Sequence, residues 1–156
     1  MDRSRWVLLA YRFPREPSTP RITLWRQLRR LGVAQVADGV VGLPLDSRTR
    51  EQLDWLAEEV IENGGEATIW LAQPGTAAQD RALARQMAEG VTADYRRLVD
   101  EASAVLGQPE GTRRRTLARL RRELRRIRSR DYFPTGAGDR ARAAVESLAV
   151  SLEAAS

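Results

Sequence analysis

The chain has no cysteine and no histidine, and all 26 of its basic residues are arginine, so lysine is missing too. Each absence excludes chemistry. Without thiols and imidazoles there is no disulfide, no zinc finger, no cysteine nucleophile and no histidine base for a serine triad. Transition metals lose their preferred ligands. No apolar run approaches the roughly 20 residues that span a bilayer. The apolar stretch Trp6 to Ala10 is also too short for a secretory signal core. The expectation is a cytoplasmic protein with no membrane partner, no metal and no cofactor. An all-arginine basic set reads as GC-rich coding before it reads as function.

What is present is an ordinary globular composition, 42% apolar and 30% charged over 156 residues. That is enough for one compact domain or two small units sharing a core. The net charge of +5 is unevenly placed. Residues 1–73 carry ten arginines and ten acids. Residues 112–130 carry ten arginines and one acid, Glu123. The rest of the chain is slightly acidic.

Hydrophobic patterning gives the architecture. Trp6 to Phe13 reads as a buried strand that Pro14 ends. Pro14, Pro17 and Pro20 punctuate a loop, and Ser18 or Thr19 can cap the helix that follows. Ile22, Trp25 and Leu28 supply that helix's apolar spacing, and Gly32 stops it. Val33 to Ala37 and Val40 to Leu43, joined by Asp38-Gly39, read as a hairpin. A second helix, capped at Asp46 or Ser47, carries Leu53, Leu56, Val60 and Ile61 and ends at Asn63-Gly64-Gly65. Glu66 to Ala72 is the fourth strand. The order β-α-β-β-α-β predicts an α+β fold, a ferredoxin-like βαββαβ unit over residues 1–73. Its four tryptophans, Trp6, Trp25, Trp55 and Trp70, read as packing residues.

Beyond Gly75 the pattern is helical. Leu83, Met87, Val91, Leu98 and Val105 fall near a seven-residue repeat. Leu117, Leu120, Leu124 and Ile127 step 3-4-3, and Ala141, Val145, Leu148 and Leu152 step 4-3-4. Glycine- and proline-bearing breaks separate the three. Residues 74–156 therefore read as an antiparallel three-helix bundle, packed with the first unit as one structural domain.

The middle helix of that bundle carries the chemistry. Its four apolar residues make a narrow stripe, and arginines fan around the other side. One reading is a solvated bundle face, with arginine stems over apolar surface and pairing to Asp94, Asp100, Glu101, Glu146 or Glu153. The other is a phosphate-binding surface formed by Arg113, Arg114, Arg115, Arg119, Arg121, Arg122, Arg125 and Arg126. No helix-turn-helix accompanies them, and few Asn or Gln residues stand nearby to read bases. On the first helix, Arg21, Arg26, Arg29 and Arg30 offer forked donors suited to a tetrahedral oxyanion. Glu58 and Glu59 are adjacent and diverge on a helix, so no catalytic carboxylate pair emerges. No enzyme is expected.

Several residues recur in a recognisable order: Trp6, Tyr11, Pro14, Pro17-Ser18, Arg21, Trp25-Arg26, Leu28 and Leu31-Gly32. Asp38-Gly39-Val40, Leu43-Pro44, Gly64-Gly65-Glu66-Ala67 and Arg130-Asp131-Tyr132-Phe133 follow. Together they resemble the N-terminal domain of the chromate-resistance protein ChrB family, from about residue 5 onward. The resemblance implies a regulator of chromate-resistance genes that binds operator DNA and responds to chromate. Members of that family commonly carry a second domain, to which effector sensing is assigned, so this sequence reads as a free-standing version, a fragment or one of a split pair; the expected partner is a second copy or a protein carrying that domain. The first half is similar as well to the middle domain of phenylacetate-type repressors and, more remotely, to a CRISPR-associated endonuclease fold. Those nucleases hold metal with a carboxylate at the end of the first strand. Tyr11-Arg12-Phe13 offers none there, so metal-dependent cleavage is not expected.

Overall fold

The structure, a computed structural model, describes residues 5–154. Its elements run β1 (Trp6–Arg12), α1 (Thr19–Leu31), β2 (Ala34–Ala37), β3 (Val40–Pro44), α2 (Ser47–Glu62), β4 (Glu66–Ala72), α3 (Ala77–Ala104), α4 (Glu110–Ser129) and α5 (Ala137–Glu153). The fold is α+β, as the patterning predicts: a ferredoxin-like unit followed by a helical bundle. The chain divides into two compact units, one running to Met87 and one from Ala88.

In the first unit the strands form one antiparallel sheet in the order β2-β3-β1-β4. Alternation on β1 buries Val7 and Leu9, and helical spacing buries Leu24 and Leu28 on α1 and Leu53, Leu56 and Val60 on α2. The unit extends past Gln73 because the first turns of α3 are tied to the sheet. Asp80 accepts from the Trp6 indole at 2.8 Å. The Gln86 side chain accepts from the Gln35 backbone N–H at 2.5 Å and donates to the Gln35 carbonyl at 3.2 Å.

Glycine sets two of the turns that shape the sheet. Gly32 ends α1 in the left-handed conformation (φ 73°), its N–H returning to the Arg29 carbonyl. Gly39 turns the β2–β3 hairpin at the same φ. Asp46 caps α2 in a reciprocal box, its side chain accepting from Thr49 N–H while the Thr49 hydroxyl accepts from Asp46 N–H.

The apolar spacing of α1 and α2 is corrected in part. Ile22 and Trp25 are about half exposed, as are Trp55 and Ile61, while Leu24 replaces them in the core. Of the four tryptophans only Trp6 is buried. An aromatic set at helical spacing overstates the buried stripe when the helix has only one covered face.

The second unit has its own core. Val91, Tyr95, Leu98, Ala102 and Val105 from α3 meet Leu117, Leu120, Leu124 and Ile127 from α4 and Ala141, Val145, Leu148 and Leu152 from α5. Their steps of three and four give each helix one apolar stripe, which is the spacing of a bundle seam. Among the described residues no helix is long and apolar enough to cross a membrane.

Candidate nucleic-acid interface

α4 holds nine arginines and two glutamates over its twenty residues. The buried stripe of Leu117, Leu120, Leu124 and Ile127 fixes which way each arginine turns. Arg113 lies next to that stripe. It is only partly exposed and donates to the Ser151 carbonyl and hydroxyl at 3.0 Å and to the Gln108 carbonyl at 3.0 Å. It serves the bundle rather than an outside partner. The remaining arginines of the helix are exposed.

Their charges are compensated unequally. Arg114 pairs with Glu110 at 2.5 Å, Arg119 with Glu101 of α3 at 2.6 Å, and Arg126 with Glu123 at 3.5 Å. Arg115 donates to the Thr112 hydroxyl at 3.3 Å. Arg114 and its neighbour Arg113 also hold the Glu110 carboxyl below its ordinary pKa, the hydrogen bond to Arg114 being the main cause. Arg121, Arg122, Arg125 and Arg128 have no ion pair and no side-chain hydrogen bond among the described residues. Arg121, Arg125 and Arg128 are spaced i, i+4, i+7, which puts them in one row along a flank of the helix, with about 10 Å of axial rise from first to last.

The far end of α4 is anchored. Arg130 donates to Asp94 at 3.0 Å, with both side chains largely buried. Asp94 also receives Arg97. Next to it the Tyr95 hydroxyl donates to Asp131 at 3.0 Å. Burial, then that hydrogen bond to a carboxylate, pushes the Tyr95 phenol up to about 12. These contacts tie the C-terminal end of α4 to α3.

Arg128 was not among the residues nominated by sequence. Its spacing from Arg121 and Arg125 is the signal that finds it. The expected pairing to neighbouring acids is seen at Glu101, while one flank of the helix has no ion pair among the described residues.

The four arginines of α1 are all exposed and do not converge. Arg21 turns back to donate to the Arg15 carbonyl at 3.2 Å, and Arg29 lies over the Trp25 ring, 4.9 Å from its centroid. The cavity beside α1, lined by Phe13, Pro20, Leu24, Gln27 and Glu59 among others, has none of the four on its wall.

The fold is thus an α+β unit followed by a helical bundle whose middle helix carries one flank of arginines without ion pairs among the described residues. The family model described as "Protein ChrB, N-terminal" matches residues 21–108, more than half of the chain, and the chain belongs to that family. This ties it to the chromate-resistance proteins that its residue pattern resembles. Protein ChrB of Cupriavidus metallidurans is 29% identical over 140 residues, covering 87% of this chain and 43% of that protein. The chain thus spans less than half the length of that curated relative. An uncharacterized protein of Mycobacterium tuberculosis, Rv0674, shares the fold with a TM-score of 0.54 at 18% identity, over 97% of this chain and 63% of that one.

Proposed function

We propose that the chain is a regulatory module of the chromate-resistance type and takes part in DNA-dependent control through the bare flank of α4. The observation that carries this reading is the row Arg121, Arg125 and Arg128, with Arg122 beside it, exposed and without a carboxylate among the described residues. Guanidinium groups on a rigid helix suit phosphate oxygens in both charge and fork geometry. Each phosphate so contacted releases counterions from the duplex, which gives affinity without base readout. Such contacts fix position and supply affinity without carrying sequence information.

The test is binding of a labelled duplex to the whole chain across a salt series. Binding that weakens steeply with salt supports the reading. No binding at low salt, with or without a partner protein holding the second domain, overturns it.

A further inference from the structure

The sheet has two edges, and the fold treats them differently. β2 is short, four residues, with its register broken between Gln35 and Ala37. Its backbone is further covered by the Gln86 amide, which satisfies both the N–H and the carbonyl of Gln35. A short strand, a bulge and a covering side chain are the usual means of blocking unwanted pairing. β4 has none of them. It runs seven residues, its register with β1 is regular from Glu66 to Ala72, and it contains no proline. Because it ends the strand order, every second residue turns its N–H and carbonyl outward, with no strand among the described residues to receive them. Large apolar side chains flank that edge, Trp70 at 59% and Leu71 at 55% exposed.

We propose that the free edge of β4 pairs antiparallel with the same edge of a second copy of this chain, joining two four-stranded sheets into one of eight. Charge selects this occupant. Glu66 is the strand's sole ionised residue, and it is already paired with Arg12 at 2.7 Å. A two-fold axis at Ile69 sets Glu66 opposite Ala72, Ala67 opposite Leu71 and Thr68 opposite Trp70. No like charges meet, and all seven residues find partners. The two Trp70 side chains become diagonal neighbours on one face, within reach of each other. Such an interface is isologous, so it closes at the dimer and does not propagate. It is independent of the reading of α4: a chain that fails to bind DNA can still pair in this way.

The experiment is sedimentation of the full chain from micromolar to hundred-micromolar concentration, with two double variants at exposed positions. T68K/W70K puts lysine opposite lysine twice across the axis. T68E/W70K puts glutamate opposite lysine twice, and circular dichroism checks that both variants fold. The expected result is a wild-type dimer, self-association weakened by roughly tenfold or more in T68K/W70K, and recovery in T68E/W70K. A wild-type monomer at every concentration overturns the proposal. So does a dimer indifferent to T68K/W70K, or one that the charge exchange fails to restore.

Discussion

Arg119 of α4 meets Glu101 of α3 at 2.6 Å, while Arg125, on the same helix and also exposed, meets no carboxylate among the described residues. The contrast divides the helix into a compensated flank and a bare one. Substituting Arg121, Arg125 and Arg128 together by alanine should therefore cut duplex-DNA affinity evenly across sequences. The slope of log affinity against log salt should fall by about 3, near one for each lost phosphate contact. Arg119→Ala should change the slope by much less, since its guanidinium is already held by Glu101. Fluorescence anisotropy over a salt series reads both. Equal effects from the two variants would show that the bare flank is not the contact surface.

Tyr95 gives a pH signature for the second unit. Its phenol sits at about 12 in the folded chain, against an ordinary value of 10.0, because it is buried and donates to Asp131. The neutral form is the one the fold favours. Its contribution is therefore complete below about pH 10 and is lost as pH rises through 12, for a total on the order of 2 kcal/mol. Urea unfolding followed by far-ultraviolet circular dichroism should show stability falling across that window. Tyr95→Phe should be less stable near neutrality and should flatten the fall. An unchanged slope in that variant would contradict the role of the phenol.

The parts of the fold legible in the sequence are those governed by local rules. Asp46, Gly32 and Gly39 fix element ends through capping and left-handed backbone, and those rules act within a few residues. The stripes of α4 and α5 are legible because a bundle seam repeats over several turns. Trp25, Trp55 and Trp70 are not, because hydrophobicity says that a side chain would gain from burial and not whether a neighbour exists to bury it. The candidate surface was half legible for a related reason. Arginine density is visible in the chain, but pairing of Arg119 with Glu101 depends on the approach of two helices, and sequence spacing does not reveal it. Gln86 covering the β2 edge is likewise a contact between residues 51 apart.

The start of α2 rests on a reciprocal cap around a buried hydroxyl. Thr49 is fully buried, donates to the Pro44 carbonyl at 2.6 Å and accepts from Asp46 N–H at 2.9 Å, while Asp46 accepts from Thr49 N–H at 2.7 Å. Asp46→Ala should cost about 1 kcal/mol, as loss of a helix cap does. Thr49→Val keeps the shape but removes the partner of the half-buried Pro44 carbonyl and of the N–H of the exposed Asp46, and should cost about 1 kcal/mol. All four tryptophans lie in the first unit, so tryptophan fluorescence during urea unfolding measures both costs there. A valine variant as stable as the wild type would mean that the hydroxyl is dispensable.

Gly39 carries two constraints at once. Its φ of 73° lies where a Cβ is strained, and a Cβ built there would stand 2.6 Å from the Tyr11 carbonyl oxygen. The Tyr11 N–H in turn donates to the Gly39 carbonyl at 2.8 Å, which fastens the hairpin turn to the end of β1. Gly39→Ala cannot relieve the contact by moving a side chain, because both groups are backbone. The left-handed conformation alone costs roughly 1–2 kcal/mol for an L-residue, and displacing the turn also forfeits the hydrogen bond to Tyr11. The variant should unfold at clearly lower urea concentration by tryptophan fluorescence. Gly64→Ala provides the comparison, since its φ is also positive at 87° but no atom lies within 4 Å of the added methyl. A loss at Gly39 exceeding that at Gly64 isolates the steric part; equal losses would reduce the effect to backbone conformation alone.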